Sequence, residues 1–343
     1  MELLENRACL LMPLESMRLQ SSSVTFVFIW LRFMVSAREV PLPMPRIGTM
    51  PVSKASSKDD LHYLDNGVVK LGVDLTRGGS IGYFGPSNGD TNLINCYDMG
   101  REVQLSFYAG PDFYNPDGQC DKLFMDQEWP WNPIGAGDVQ GNHGAITTAD
   151  FNDTTAHIIT TPLQWACSNV PCECEFEQKI ALGGPANTGV KVTATLHNHR
   201  SDTTEYHAFS QELPAVYSNG PYYRLVTAEG GEIREYDAGW NSSASFPWVP
   251  GAFTSDENWA ALVNEDGFGM GIVNYDTTSF IGGFSGTKGS GGPYDASTGY
   301  IAPVMEMSLP ANTIYEYTFY LVLGDIDTIR AYAQQAKDGY SSQ

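Results

Sequence analysis

Residues 190–197 read VKVTATLH and residues 314–323 read IYEYTFYLVL. Apolar side chains recur at every second position through the first run and the opening half of the second. That period places them on one face of an extended chain, and it cannot line one face of a helix. A strand with one apolar face needs a second layer to cover it, so the pattern predicts sheet packed on sheet. Similar short runs at residues 68–75, 81–84, 103–108, 156–160, 174–180, 206–209, 223–227, 259–264, 269–274 and 302–309 supply more strands. Arg77-Gly78-Gly79-Ser80 makes the turn of an opening hairpin. Only residues 325–337 read as a helix, with Asp325 or Asp327 to cap it and Ile329, Tyr332 and Ala333 along one stripe. The expected fold is all-β, a two-sheet sandwich of the supersandwich type with a short C-terminal helix, formed as one domain over residues 61–343.

The N-terminal part reads differently. Residues 24–35, VTFVFIWLRFMV, form an apolar run too short for an ordinary membrane span. Arg18 precedes it and the small residues Ser36 and Ala37 follow, which is the layout of a secretory signal peptide. The fit improves if translation starts at Met17. Residues 1–37 are therefore expected to be a signal or N-terminal extension, and the proline- and serine-rich residues 38–60 a linker. The expected location is extracellular, without stable membrane insertion. Beyond Cys9, five cysteines remain, at 96, 120, 167, 172 and 174. They allow two disulfides and one free thiol, in a pairing that spacing does not fix. Asn152 and Asn241 stand in glycosylation acceptor triplets.

Charge narrows the partners. The formal net charge of -21 repels phosphate backbones, which excludes nucleic acid as a natural partner. The glycine-rich residues 282–299 lack both a βαβ context and the spacing of a phosphate-binding loop, and read as a flexible surface loop. His197 and His199 share a face at a strand end but have no third ligand in sequence. Cys172 and Cys174 lack a second ligand pair. No metal and no cofactor is expected. A glycan is the expected partner, because Trp129, Trp131, Tyr217, Tyr222, Tyr223, Trp240 and Trp248 fall in turn-rich contexts where flat rings can stack on sugar C–H faces.

Acid–base chemistry on a glycan needs carboxylates or their equivalents. Glu102 begins a strand beside Arg101, and Glu212 ends one. Glu306 interrupts the apolar run Val304-Met305-Glu306-Met307, where desolvation would raise its pKa and suit it to proton transfer. Asp138 and His143 lie with the two tryptophans in the long irregular stretch 110–142, the kind of loop that carries function. His207 stands near Glu212 and the Tyr222-Tyr223-Arg224 cluster in sequence.

Three segments together resemble the β-supersandwich proteins of the galactose mutarotase kind. They are the hairpin Leu71 to Phe84; the strand Lys191 to Asn198 followed by His207; and Glu306, Leu309 to Thr313 and the aromatic strand Tyr315 to Leu323. The resemblance implies His207 as acid and Glu306 as base around a sugar ring. The fold does not fix the reaction. The leading expectation is a glycoside hydrolase using Glu102, Glu212 and Glu306. A polysaccharide lyase would instead use His207 or Tyr223 as base, with Arg101 or Arg224 neutralising a uronate. A non-catalytic sugar-binding or structural protein would keep only the aromatic platforms.

Overall fold

The two alternating segments lie side by side. The computed structural model describes residues 60–120, 128–236 and 252–340, all within one compact unit. In chain order its strands are β1 (Leu61–Asp65), β2 (Val69–Asp74), β3 (Ser80–Pro86), β4 (Val103–Gln104), β5 (Pro133–Ile134), β6 (Ala145–Phe151), β7 (Thr155–Thr161), β8 (Leu163–Gln164), β9 (Cys174–Gly183) and β10 (Gly189–Asn198). They continue as β11 (Phe209–Glu212), β12 (Ala215–Asn219), β13 (Arg224–Glu229), β14 (Glu232–Tyr236), β15 (Phe253–Thr254), β16 (Trp259–Val263), β17 (Phe268–Val273), β18 (Ser279–Ser285), β19 (Thr298–Met307) and β20 (Thr313–Asp325). The helix α1 covers Ile326–Tyr340.

The first sheet has nine strands, in the order β1-β2-β3-β4-β12-β19-β18-β15, with β11 also on β19. The second also has nine, in the order β14-β13-β16-β17-β20-β10-β9-β7-β6. β10 pairs antiparallel with β20 from Gly189 opposite Val322 to Asn198 opposite Thr313. Because side chains alternate, Val190, Val192, Ala194 and Leu196 all turn inward, where Phe319 and Leu321 from β20 meet them. Leu71, Ile81, Val216, Phe280 and Ile301 of the first sheet close the same core from the other side. Each such side chain, fully buried, contributes about 1.5–3 kcal/mol. This is the expected two-sheet sandwich.

The helix covers half of the second sheet's outer face. Ile329, Tyr332 and Ala333 pack with Val226, Trp259, Ala261 and Val322. The predicted cap is Asp325, whose Oδ1 accepts the backbone N–H of Thr328 at 2.8 Å. Contact is close enough to demand glycine beneath the helix. A Cβ on Gly189 would stand 2.3 Å from the Tyr332 ring, and one on Gly271 would stand 2.3 Å from Ile329.

Several local expectations are corrected. Residues 103–108 make only a two-residue strand, because the Leu105 carbonyl turns away to accept the N–H of Gly135. Residues 282–285 and 298–299 belong to β18 and β19, so the glycine-rich loop shrinks to 286–297. That loop is held down. Asn95 Nδ2 donates to the carbonyls of Asp295 and Ser297, and the N–H of Cys96 donates to Pro293. The long stretch 110–142 is tied by a Cys120–Cys167 disulfide. Cys172 bonds Cys174, and Cys96 is buried and free. The apolar run 24–35, residues 38–59 of the linker, Cys9, Trp240, Trp248 and Asn241 lie outside the described residues. Among the described residues no helix is long and apolar enough to cross a membrane.

Candidate active site

The site grows from the pairing of β11 with β19. Glu212 lies opposite Val304 and Ser210 opposite Glu306. Partners across an antiparallel ladder share a face, as do residues two apart on one strand. Ser210, Glu212, Val304 and Glu306 therefore all point away from the main core, Val304 into a second buried cluster with Tyr217 and Tyr300, while Met305 and Met307 pack against the main core. Glu212 and Glu306 are diagonal neighbours, a relation that sets their backbones about 7–8 Å apart.

The two carboxyls have opposite surroundings. Glu306 is exposed, so the desolvation expected from its flanking methionines is absent: they face the core and it does not. Glu212 is only 3% exposed. Its Oε1 accepts the Tyr300 hydroxyl at 2.5 Å. Burial pushes the Glu212 carboxyl up to about 7, against the pull of that hydrogen bond. No other charge shifts it. Burial therefore favours the protonated form of this acid.

Tyrosines surround it. Tyr108, Tyr217 and Tyr300 are buried, and burial followed by the negative charge of Glu212 raises all three phenols well above their ordinary value. They therefore stay protonated as hydrogen-bond donors. The Tyr217 and Tyr300 rings meet at 5.0 Å. Gln211 fixes the Tyr108 backbone from below, its carboxamide exchanging bonds of 2.7 and 2.9 Å with the Tyr108 C=O and N–H. Beyond Tyr217 lies a charged pair, Arg101 Nε to Asp98 Oδ2 at 3.1 Å. Arg101 also donates to Asn95 Oδ1 and to the Ala296 carbonyl, so the loop at 286–297 holds it. Its guanidinium sits 4.8 Å above the Tyr97 ring.

Other candidates stand elsewhere. Glu102 is fully buried, with Oε1 taking Arg77 Nη1 at 2.8 Å and Oε2 taking the Ser80 hydroxyl. Burial raises its pKa and Arg77 opposes the rise. Each of its carboxylate oxygens already has a partner, so it is a closed internal ion pair. Trp131 lies in the main core and Trp129 in a smaller apolar cluster, where its Nε1 donates to Asn132 Oδ1 at 3.1 Å. At 2% and 6% exposure neither ring is the open platform the sequence suggested. Asp138 is sealed, accepting the N–H groups of Gln140, Asn142 and Asn169; it organises its loop. His143 is exposed, with its nearest ring contact a 3.4 Å approach to the Gly144 carbonyl. Tyr222 is a core residue.

The lyase set is not gathered. Tyr223 bonds Glu265, and Arg224 forms a two-pronged pair with Glu235. His207 is an exposed side chain 3.4 Å from Asp112, its ring leaning on Phe209 at 4.3 Å. His197 bonds Glu177 at 3.2 Å. Among the described residues no group of side chains is arranged to hold a metal ion. Sequence reasoning missed Tyr108 and Tyr300 as site residues. Both look like ordinary core aromatics until strand register shows which face they occupy.

No family model and no curated protein matches the sequence. Solved structures do. The chain is similar to a galactose mutarotase related enzyme from Lactobacillus acidophilus, at 9% identity over 77% of this chain and 97% of that one, with a TM-score of 0.44. It is similar to the GalM/aldose epimerase homologue from C. elegans, at 9% identity over 78% and 99%, with a TM-score of 0.44. It is also similar to a galactose mutarotase-like protein from Clostridium acetobutylicum, at 7% identity over 77% and 95%, with a TM-score of 0.41.

Proposed function

We propose that this chain is a secreted carbohydrate-active enzyme, a glycoside hydrolase. The observation that carries the reading is the pairing of β11 with β19, which sets Glu212 and Glu306 on one face of the sheet as diagonal neighbours, one carboxyl buried and the other exposed. Glycoside hydrolysis uses two carboxyls, one as acid and one as nucleophile or base, and their separation sets the stereochemical outcome. Glu212, raised to about 7, is the acid. It gives its proton to the leaving oxygen as the glycosidic C–O bond breaks. Glu306 is the second carboxyl, acting at the anomeric carbon as base toward water or as nucleophile. Exchange with solvent restores both carboxyls. Tyr300 aims the acid through its 2.5 Å hydrogen bond. Two disulfides and the apolar run at residues 24–35 support export.

The test is a panel of neutral and uronate-containing polysaccharides, following new reducing ends and absorbance near 235 nm together. Hydrolysis gives reducing ends without absorbance. A rise in both would mean elimination and would overturn the assignment, as would hydrolysis undiminished by Glu212→Gln.

A further inference from the structure

The turn between β6 and β7 carries the triplet Asn152-Asp153-Thr154. Its backbone is tied to the body of the protein on two sides. The N–H of Asp65 donates to the Asp153 carbonyl at 2.8 Å, and the N–H of Leu182 to the Thr154 carbonyl at 2.9 Å. Asn152 itself is exposed. Its Oδ1 accepts the N–H groups of Thr154 and Thr155, at 3.1 and 2.9 Å, while its Nδ2 donates to none of the described residues. Asn66 shows the alternative. There Oδ1 likewise accepts two N–H groups, from Val68 and Val69, but Nδ2 is bonded to the Asn187 carbonyl at 3.0 Å. A substituent on the Asn66 amide would disturb that bond. On Asn152 the oxygen alone holds the turn, so a substituent on the nitrogen would break no hydrogen bond and would meet solvent.

The neighbouring strand gives such a substituent a role. β6 is the last strand of the second sheet, so the backbone groups along its outer side pair with no described strand. An edge of this kind invites pairing with another chain unless it is guarded. The opposite edge, β14, carries Glu232, Arg234 and Glu235. β6 has Asp150 as its one charge, and a bulge between Ile146 and Thr148. Beyond the bulge the register is regular from Thr148 to Phe151, and Ala149 and Asp150 are exposed. Asn152 follows at that regular end.

We infer that Asn152 carries an N-linked glycan, which shields the regular end of β6 from other chains. The inference rests on the export reading, since the transfer is made to exported chains in cells that N-glycosylate. The donor class is an oligosaccharide on a polyprenyl diphosphate. The bond from its anomeric carbon to the diphosphate breaks, that carbon bonds to Nδ2, Nδ2 gives up one proton, and the lipid diphosphate leaves. A bulky, solubilising group then stands beside the open edge.

The test secretes the full chain from a eukaryotic host behind an added export signal, so failure of the chain's own N-terminus to direct export does not affect the result. Enzymatic release of N-glycans turns a glycosylated Asn into Asp, and peptide mass spectrometry reads residue 152 separately from Asn241. Residue 152 should be converted in the wild type and stay Asn in Thr154→Ala, which keeps the Asn152 side chain. A bare Asn152 in the secreted wild type overturns the inference, whatever the protein does to polysaccharides. Sedimentation tests the shielding. The apparent mass of Thr154→Ala should rise with concentration more steeply than that of the wild type, while their unfolding curves coincide. Adding Thr148→Lys, a charge on the same edge, should reverse the rise. Equal concentration dependence of Thr154→Ala and wild type, or a rise that Thr148→Lys leaves unchanged, overturns the shielding role.

Discussion

Replacing Glu212 by Gln should change how stability depends on pH more than stability at any single pH. Gln keeps the shape and can still accept the Tyr300 hydroxyl, but it never ionises. In the wild type the folded carboxyl titrates at about 7 and the unfolded one near its ordinary 4.5. Between those values the folded state holds a proton that the unfolded chain has lost. Stability therefore falls as pH rises: the contribution is fully present below about 4.5 and lost as pH passes 7. At about 1.4 kcal/mol per pH unit the loss reaches about 3 kcal/mol. Wild type and Glu212→Gln should then unfold alike at pH 4, and the variant should be the more stable by about 3 kcal/mol at pH 8. Glu102 is common to both proteins and cancels in the difference. Urea unfolding at pH 4, 5.5, 7 and 8 measures it. A wild type-to-variant gap that stays constant with pH would refute the reasoning, since it would mean Glu212 titrates in the fold as it does in the unfolded chain.

Other outcomes follow from the same geometry. Glu212→Gln and Glu306→Gln should each lower kcat by about 10²–10⁴-fold in a reducing-end assay. Activity of the wild type should fall as pH rises through 7, where Glu212 loses its proton. Tyr300→Phe removes the bond that pulls the Glu212 pKa down, so the alkaline limb of the pH–rate profile should move to higher pH. Breaking Cys120–Cys167, which spans 47 residues, should cost about 4 kcal/mol of unfolding free energy by loop-closure entropy. Breaking Cys172–Cys174, two residues apart, should cost about 1 kcal/mol. Gly189→Ala should cost about 1–3 kcal/mol in thermal or urea unfolding, because its Cβ meets the Tyr332 ring.

Much of the scaffold was legible wherever one face of a strand is dry and the other wet. Residues 189–198 and 313–319 alternate because they sit in the middle of a sheet with one face toward the core and the other wetter, and their pattern exposed them at once. The same logic fails for Ala215–Asn219, which is buried on both faces and so has no alternation to read. It fails for Ser279–Ser285 because Gly282 and Gly283 look like loop residues. A Cβ on Gly282 would lie 2.8 Å from the Tyr300 carbonyl, so that glycine marks close strand contact and not freedom. Composition misled most over tryptophan. Prolines and glycines around Trp129 and Trp131 suggest an exposed loop, yet that loop folds inward, and Gly110 is bare so that Trp131 can lie on it.

The candidate site was half legible for a related reason. Glu306 interrupts an apolar run, and an interruption is visible in one dimension. Its meaning is not, because the neighbouring methionines belong to the opposite face. Glu212 could be named from its place at a strand end, but its relation to Glu306 exists only in the register of β11 against β19. A slip of one residue in that pairing would turn Glu212 into the main core and leave Gln211 on the face that carries Tyr300. The backbone guards against the slip. Gln211 is clamped to the Tyr108 backbone through both ends of its carboxamide, and the N–H of Leu213 is bonded to the Pro303 carbonyl. Neither clamp touches the proposed reacting groups, yet together they decide which carboxyl faces outward. Substituting Gln211 should therefore weaken catalysis through the pH profile of Glu212 before it weakens the fold elsewhere.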